Sequence, residues 1–199
     1  ISLGLVGSEM CIRDSNWTAS FMIRSHDMST GELGTWLALI MGVGGAIGVF
    51  WGSYIAERLA KFDVRWYMWM PTITGMICVP FMIATYVVEG AYTALIVSVV
   101  PGILFNVYLG NSLAMTHALV GLRMRAVASA ILFFLINLIG MGLGPWGVGL
   151  LSDMLSAELG NESLRYAMLY LLPAAMAWSA VHFLLASRTL QKDLEAAPA

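Results

Sequence analysis

Charge is what this sequence has least of. Asp, Glu, Lys and Arg make up 11% of its 199 residues, gathered in short clusters with long uncharged runs between them. A chain so poor in charge cannot dress an ordinary water-facing surface. Its formal net charge of −2 gives no basic field for nucleic acid. Cysteine is almost absent, with only Cys11 and Cys78, so there is no disulfide framework and no metal-ligand spacing. Paired carboxylates, a histidine cluster and an activated nucleophile are all missing from the apolar runs. That excludes the usual equipment of a membrane-embedded enzyme, and neither metal nor cofactor is expected.

The first fifteen residues stand apart. Leu5-Val6-Gly7-Ser8-Glu9-Met10-Cys11-Ile12-Arg13-Asp14 matches one translated frame of a transposon-type sequencing adapter, with Ser15 at the junction. A secretory signal would place an apolar run after basic residues, whereas Glu9, Arg13 and Asp14 interrupt that position. Residues 1–15 are therefore expected to be adapter-derived, with the natural chain starting near Asn16 and cut short upstream. Setting Glu9, Arg13 and Asp14 aside removes one negative charge and leaves −1 of the −2.

What is present in quantity is apolar: 59% hydrophobic residues and a mean hydropathy of +0.80. A helix needs roughly 20 apolar residues to cross the hydrocarbon of a bilayer. Residues 33–56, 66–88, 91–120, 126–152 and 166–187 each meet that requirement without a charge. Residues 16–23 are too short and end at Arg24, Ser25, His26 and Asp27, which predicts the tail of a sixth helix whose start is lost. The apolar residues run all the way round these helices instead of forming one stripe, as a soluble core helix would. Strands of about ten residues with alternating polarity, the mark of a membrane barrel, are absent. The expected fold is an all-α polytopic membrane bundle.

Lys and Arg concentrate in cytoplasmic loops. Arg58, Lys61, Arg65, Arg123, Arg125, Arg188 and Lys192 fall on one side, and only Arg24 and Arg165 on the other, which also holds Asp27, Glu32, Glu89, Asp153, Glu158 and Glu162. The first side is predicted to be cytoplasmic, together with the tail 188–199. Asn16-Trp17-Thr18 and Asn161-Glu162-Ser163 fit the glycosylation pattern on the opposite side, a pattern without meaning in a bacterial source.

Within the runs, Gly44, Gly48 and Gly52 repeat every four residues, beside Gly42 and Gly45. Small residues at that spacing let a neighbouring helix approach, for close packing or for sliding. Pro71, Pro80 and Pro101 remove backbone donors and predict kinks. Gly140, Gly142, Gly144 and Pro145 make a segment that can bend.

The loop Gly52-Ser53-Tyr54-Ile55-Ala56-Glu57-Arg58-Leu59-Ala60-Lys61 resembles the conserved cytoplasmic loop between the eighth and ninth helices of the major facilitator superfamily. Ala56, Arg58 and Lys61 match its pattern; Glu57 stands for the usual Asp, and Ser53 and Ala60 for glycines. Residues 16–21 and 24–29, Arg123-Met124-Arg125-Ala126 and Leu143-Gly144-Pro145 through Asp153 are similar to bacterial spinster-type members. Over residues 16–187 the resemblance implies the C-terminal half of a twelve-helix transporter, from the end of helix seven through helix twelve. It further implies a secondary transporter working by alternating access and coupled to protons. The missing N-terminal half would be its partner, the bilayer of a bacterial inner membrane its setting, and a small organic or amphiphilic molecule its substrate. In the loop, Glu57 is expected to sit against a neighbouring helix N-terminus, while the basic residues set topology.

Since the five runs contain no Asp, Glu, Lys or Arg, a titrating carboxylate is expected in the missing half. Asn106 and Asn137, midway along the third and fourth complete helices, are the candidate substrate contacts. Those helices correspond to ten and eleven, which line the family's cavity. Tyr108, off the Asn106 face, and Asn111, nearer the cytoplasmic end, are further candidates. Each amide serves equally as an interhelical hydrogen bond. Trp36 fits an interfacial anchor. His117 and His182 lie near helix ends as solvated or packing residues, and the fourteen methionines are packing or lipid-facing. A different reading keeps the chain whole: a small membrane scaffold protein that dimerises through its glycine-rich helix.

Overall fold

The computed structural model describes residues 15–197, which are helical and turn structure without a strand. The adapter-like stretch lies outside the described residues except for Ser15, which opens helix α1 (Ser15–His26). Its 12 residues rise about 18 Å, well short of the roughly 30 Å of a hydrocarbon core. Then come α2 (Thr30–Ala60), α3 (Trp66–Val87) and α4 (Ala91–Ala118), α5 (residues 125–159) and α6 (Ser163–Glu195). The observed ends fall within a few residues of the apolar runs at α3 and α4. Helices α2, α5 and α6 extend further, and α6 does not stop at Ser187 but continues through the expected tail to Glu195.

The apolar stretch Gly144–Glu195 counts 52 residues, about 78 Å if straight, more than twice a bilayer's hydrocarbon. It reverses at Gly160, whose φ of 52° and ψ of −123° suit a residue without Cβ. The stretch is therefore the second half of α5 and the whole of α6, and five helices have the length to cross. Asp27 turns the chain between α1 and α2 with a φ of 51°, a conformation Asp adopts more readily than most residues.

Helices α3 and α6 pack along their length. Gly75 of α3 presses on Met176 and Ala180 of α6, and Trp69 Nε1 donates to Ser187 Oγ at 3.1 Å. Helix α3 runs unbroken through Pro71 and Pro80. Two buried clusters stack along the bundle. Phe21, Met22, Leu33, Met82 and Leu172 fill the end where the acidic loops lie. Met68, Tyr108, Met115, Phe183 and Leu190 fill the end where the basic loops lie. At the acidic end Arg165 of α6 closes α3: Nη2 donates to the Val87 carbonyl at 2.8 Å and Nε to that of Tyr86, while Nη1 pairs with Glu162 at 3.2 Å. Carbonyls at a helix C-terminus lack intrahelical partners, and a cation there is favourable. Large apolar side chains cover the outside, among them Phe50 at 66% and Trp146 at 65% exposure. Patches of that kind are stable against lipid and not against water, so the bundle sits in a bilayer.

Candidate substrate-facing site on helices α2, α4 and α5

Helix α2 approaches α4 until only glycine fits. A Cβ on Gly48 would lie 1.9 Å from the Ile103 carbonyl oxygen, and one on Gly52 would lie 2.6 Å from Val107 Cγ1. Gly44 is looser, 3.3 Å from Ile103 Cγ1. The contact is reciprocal: on α4, a Cβ on Gly102 would stand 2.5 Å from Ile40 Cγ2, and one on Gly110 would stand 2.0 Å from Ser53 Oγ. The repeat expected to let a helix approach does so within the chain. Because Gly44, Gly48 and Gly52 are buried against α4, they offer no face to a second copy, and the reading as a scaffold dimerising through them is not favoured.

Three helices depart from α geometry near mid-length. Helix α2 is π-helical over Ala38–Gly44, and α5 over Ile136–Leu143. Helix α4 is interrupted at Phe105 and Asn106, between Ala91–Leu104 and Val107–Ala118. The cause in α4 is local. Asn106 Nδ2 donates to the Gly102 carbonyl at 3.1 Å, the oxygen its own backbone N–H would otherwise take. The backbone N–H turns to Ile103 O at 3.4 Å instead. Asn commonly competes with the backbone in this way. The expected irregularity of this helix thus falls at Asn106, five residues past Pro101.

Asn106 is half-buried, its amide nitrogen 3.2 Å from where a Gly45 Cβ would be, so it belongs to the α2–α4 contact. Asn137 lies inside the π segment of α5 and donates to the Phe133 carbonyl at 2.7 Å. The two asparagines sit on different helices, α4 and α5. Tyr108 is buried beside Phe183 of α6, ring centroids 6.4 Å apart, within the core rather than on an open face. Asn111 is fully buried and donates to the Val107 carbonyl at 3.1 Å. A shallow depression of about 210 Å³ on the α2–α4 pair is lined by Trp36, Leu39, Ile40, Val43, Ile47 and Ile103, among other apolar residues, and Asn106 is not part of its wall.

The stretch expected as a loop is helical as far as Ala60, forming the last turns of α2; there Ala56 is fully buried and Glu57 and Arg58 are exposed, as is Lys61 just past the helix. Arg58 Nη2 donates to Tyr54 OH at 2.6 Å with its guanidinium over that ring. Glu57 makes no hydrogen bond or ion pair among the described residues. Gly144 is buried where the π segment of α5 returns to α-helix, and the Pro145 carbonyl accepts from Trp17 Nε1 of α1 at 3.2 Å. That bond, the Arg165 closure and the link from His117 to Ser129 Oγ at 2.6 Å between α4 and α5 were invisible in the sequence. Nothing in the apolar patterning marks which polar side chains meet across helices. Among the described residues, no three of His, Cys, Asp and Glu converge as metal ligands.

This arrangement has counterparts of known kind. A bacterial homologue of the human lysosomal transporter Spinster, solved inward-facing and unoccupied, superposes with a TM-score of 0.80 at 23% identity, covering 96% of this chain and 48% of that one. The fold is that of the C-terminal half of a major facilitator transporter. The same homologue in its inward-facing occupied form gives a TM-score of 0.67 over 100% of this chain and 50% of that one. In sequence, the chain is 31% identical over 180 residues to an MFS-type efflux pump of Mycolicibacterium smegmatis, covering 90% of this chain and 42% of the pump. The chain thus spans less than half the length of that curated relative. No family model matches it. These relatives are transporters, and the apolar helices together with the shared fold make this chain an integral membrane protein built like one half of such a transporter.

Proposed function

We propose that the chain forms one wall of a secondary transporter that moves a small organic or amphiphilic solute by alternating access. The observation that carries this reading is the coincidence of irregular backbone on α2, α4 and α5 near the middle of each helix, with Asn106 and Asn137 in two of the three places. Non-helical backbone at membrane depth is tolerated where it is buried in protein or lines a cavity. Transporters of this architecture bind substrate near the midplane, between two halves related by repeat symmetry. The apolar depression on the α2–α4 pair, whose wall ends at Ile103, one turn of α4 before Asn106, supports a solute with an apolar body, held by few polar contacts. An opposing N-terminal half would supply the other wall and, if transport is driven by protons, the titrating carboxylate. The setting is a bacterial inner membrane, with the basic loops and the C-terminus in the cytoplasm.

A chimera tests this. The chain replaces the matching 42% of the mycobacterial pump, and export of a fluorescent amphiphilic dye is followed in cells. The chimera is expected to export, the chain alone is not, and Asn106→Leu in the chimera should lower the rate by about tenfold, the cost of one lost polar contact. Dye export by the chain alone, or an Asn106→Leu chimera that folds and exports at full rate, would remove the basis for the reading.

A further inference from the structure

Near the basic end of the α2–α4 pair, three buried side-chain oxygens have no hydrogen-bond partner among the described residues: Ser53 Oγ, Asn111 Oδ1 and Ser112 Oγ. Asn111 and Ser112 are each 0% exposed. The Asn111 amide nitrogen is already committed to the Val107 carbonyl, so Oδ1 is left over and can only accept. Its direction follows from its neighbours. Val107 presses on Gly52 of α2, and a residue one turn further along shares that face, so Asn111 faces α2. Ser53 lies across the same contact, its Oγ over Gly110. Ser112 follows Tyr108 by one turn and faces the side where Tyr108 meets Phe183.

A buried acceptor without a donor is costly, and an apolar side chain of the same shape would not carry that penalty. One such acceptor and two unpaired hydroxyls at one level of a bundle call for an occupant. It must donate to Asn111 Oδ1. It must be very small, because glycines hold the two helices in contact just above. It must also be neutral, since the nearest charged side chains on α2 are Glu57 and Arg58, at the exposed end of the helix. Water satisfies all three conditions, and buried water characteristically ties up polar groups that are otherwise unpaired.

We propose that this half of the α2–α4 seam is hydrated: water bridges Ser53 and Asn111, and the seam opens to the aqueous phase beside Glu57, one turn below Ser53, while a separate water serves Ser112 on the α6 side of α4. The seam is an aqueous side path into the bundle, next to the dry glycine contact and separate from the apolar depression at the other end of the same pair. The inference does not rest on the transport reading.

Thiol accessibility tests it in the full chain carrying Cys11→Ser, reconstituted in liposomes. Cys78, 0% exposed in an apolar surrounding, is the dry reference and Lys61→Cys the wet one. A small charged methanethiosulfonate reacts with thiolate, which forms where water reaches. Ser53→Cys is expected to react within about tenfold of Lys61→Cys and about a hundredfold or more faster than Cys78. A rate equal to that of Cys78 overturns the proposal. Should the Ser53 variant not fold, Asn111→Leu decides. If water uses Oδ1, the Tm in detergent falls by about 2–4 °C; an unchanged or raised Tm means a dry seam and overturns it.

Discussion

At the scale of single residues, Gly42 and Gly48 make the clearest contrast. Both stand in the same glycine-rich run, yet a Cβ on Gly42 meets nothing within 4 Å, while one on Gly48 would lie 1.9 Å from a backbone oxygen of α4. Backbone cannot rotate away as a side-chain tip can. Gly48→Ala should therefore destabilise by about 1–3 kcal/mol, the usual cost of overpacking. Gly42→Ala should be neutral or stabilise by about 0.5–1 kcal/mol, because it removes only helix-weakening backbone freedom. Thermal unfolding of the two variants in detergent separates them, and equal effects would contradict the packing described. The four-residue spacing announced a close helix contact. It could not say which glycines press hardest, since that depends on where Ile103 and Val107 of another helix fall.

The elements divide in the same way. Uncharged runs marked five membrane helices and a sixth, shorter one, because the bilayer imposes length and apolarity directly on sequence. The π segments of α2 and α5 and the break at Asn106 were not legible. The break at Asn106 arises from competition between side chain and backbone for the Gly102 carbonyl, and such a competition leaves no periodic trace; the π segment of α2, Ala38–Gly44, holds only apolar residues and glycines, so no polar residue marks it. The turn at Gly160 is another local device. With φ at 52° and ψ at −123°, Gly160→Val places a β-branched residue in strained backbone, at a cost of about 1–3 kcal/mol. An Asp27→Gly variant at the other positive-φ turn should be tolerated. Differential unfolding temperatures check both. Arg165→Met probes the closure of α3. It leaves the Val87 carbonyl and its neighbour at Tyr86 without their guanidinium donor, and should cost about 1–2 kcal/mol. Hydrogen exchange in the last turn of α3 should quicken, while the middle of the helix is unaffected. Uniform quickening along α3 would show that Arg165 acts on the whole bundle and not on one helix end.

For the whole molecule, the question the fold leaves open is which way it faces. The alternation of loops puts Arg58, Lys61, Arg65, Arg123, Arg125, Arg188 and Lys192 at one end, and Arg24 and Arg165 at the other. The structure sharpens that asymmetry, because Arg165 is not a free loop charge. Its guanidinium is spent on the end of α3 and on Glu162, which leaves Arg24 to oppose seven basic residues. Positive charge near membrane ends is retained in the cytoplasm, so the end carrying the α6 C-terminus should lie inside. Single cysteines in a background without Cys11 and Cys78 report this directly. With a membrane-impermeant thiol reagent on intact cells, Glu158→Cys, on an exposed turn at the acidic end, should label at once. Lys192→Cys, exposed on the last turns of α6, should label only after the membrane is opened. The reverse pattern would place the basic loops outside, and with them the Glu57–Lys61 stretch, which could then no longer correspond to the cytoplasmic loop it resembles.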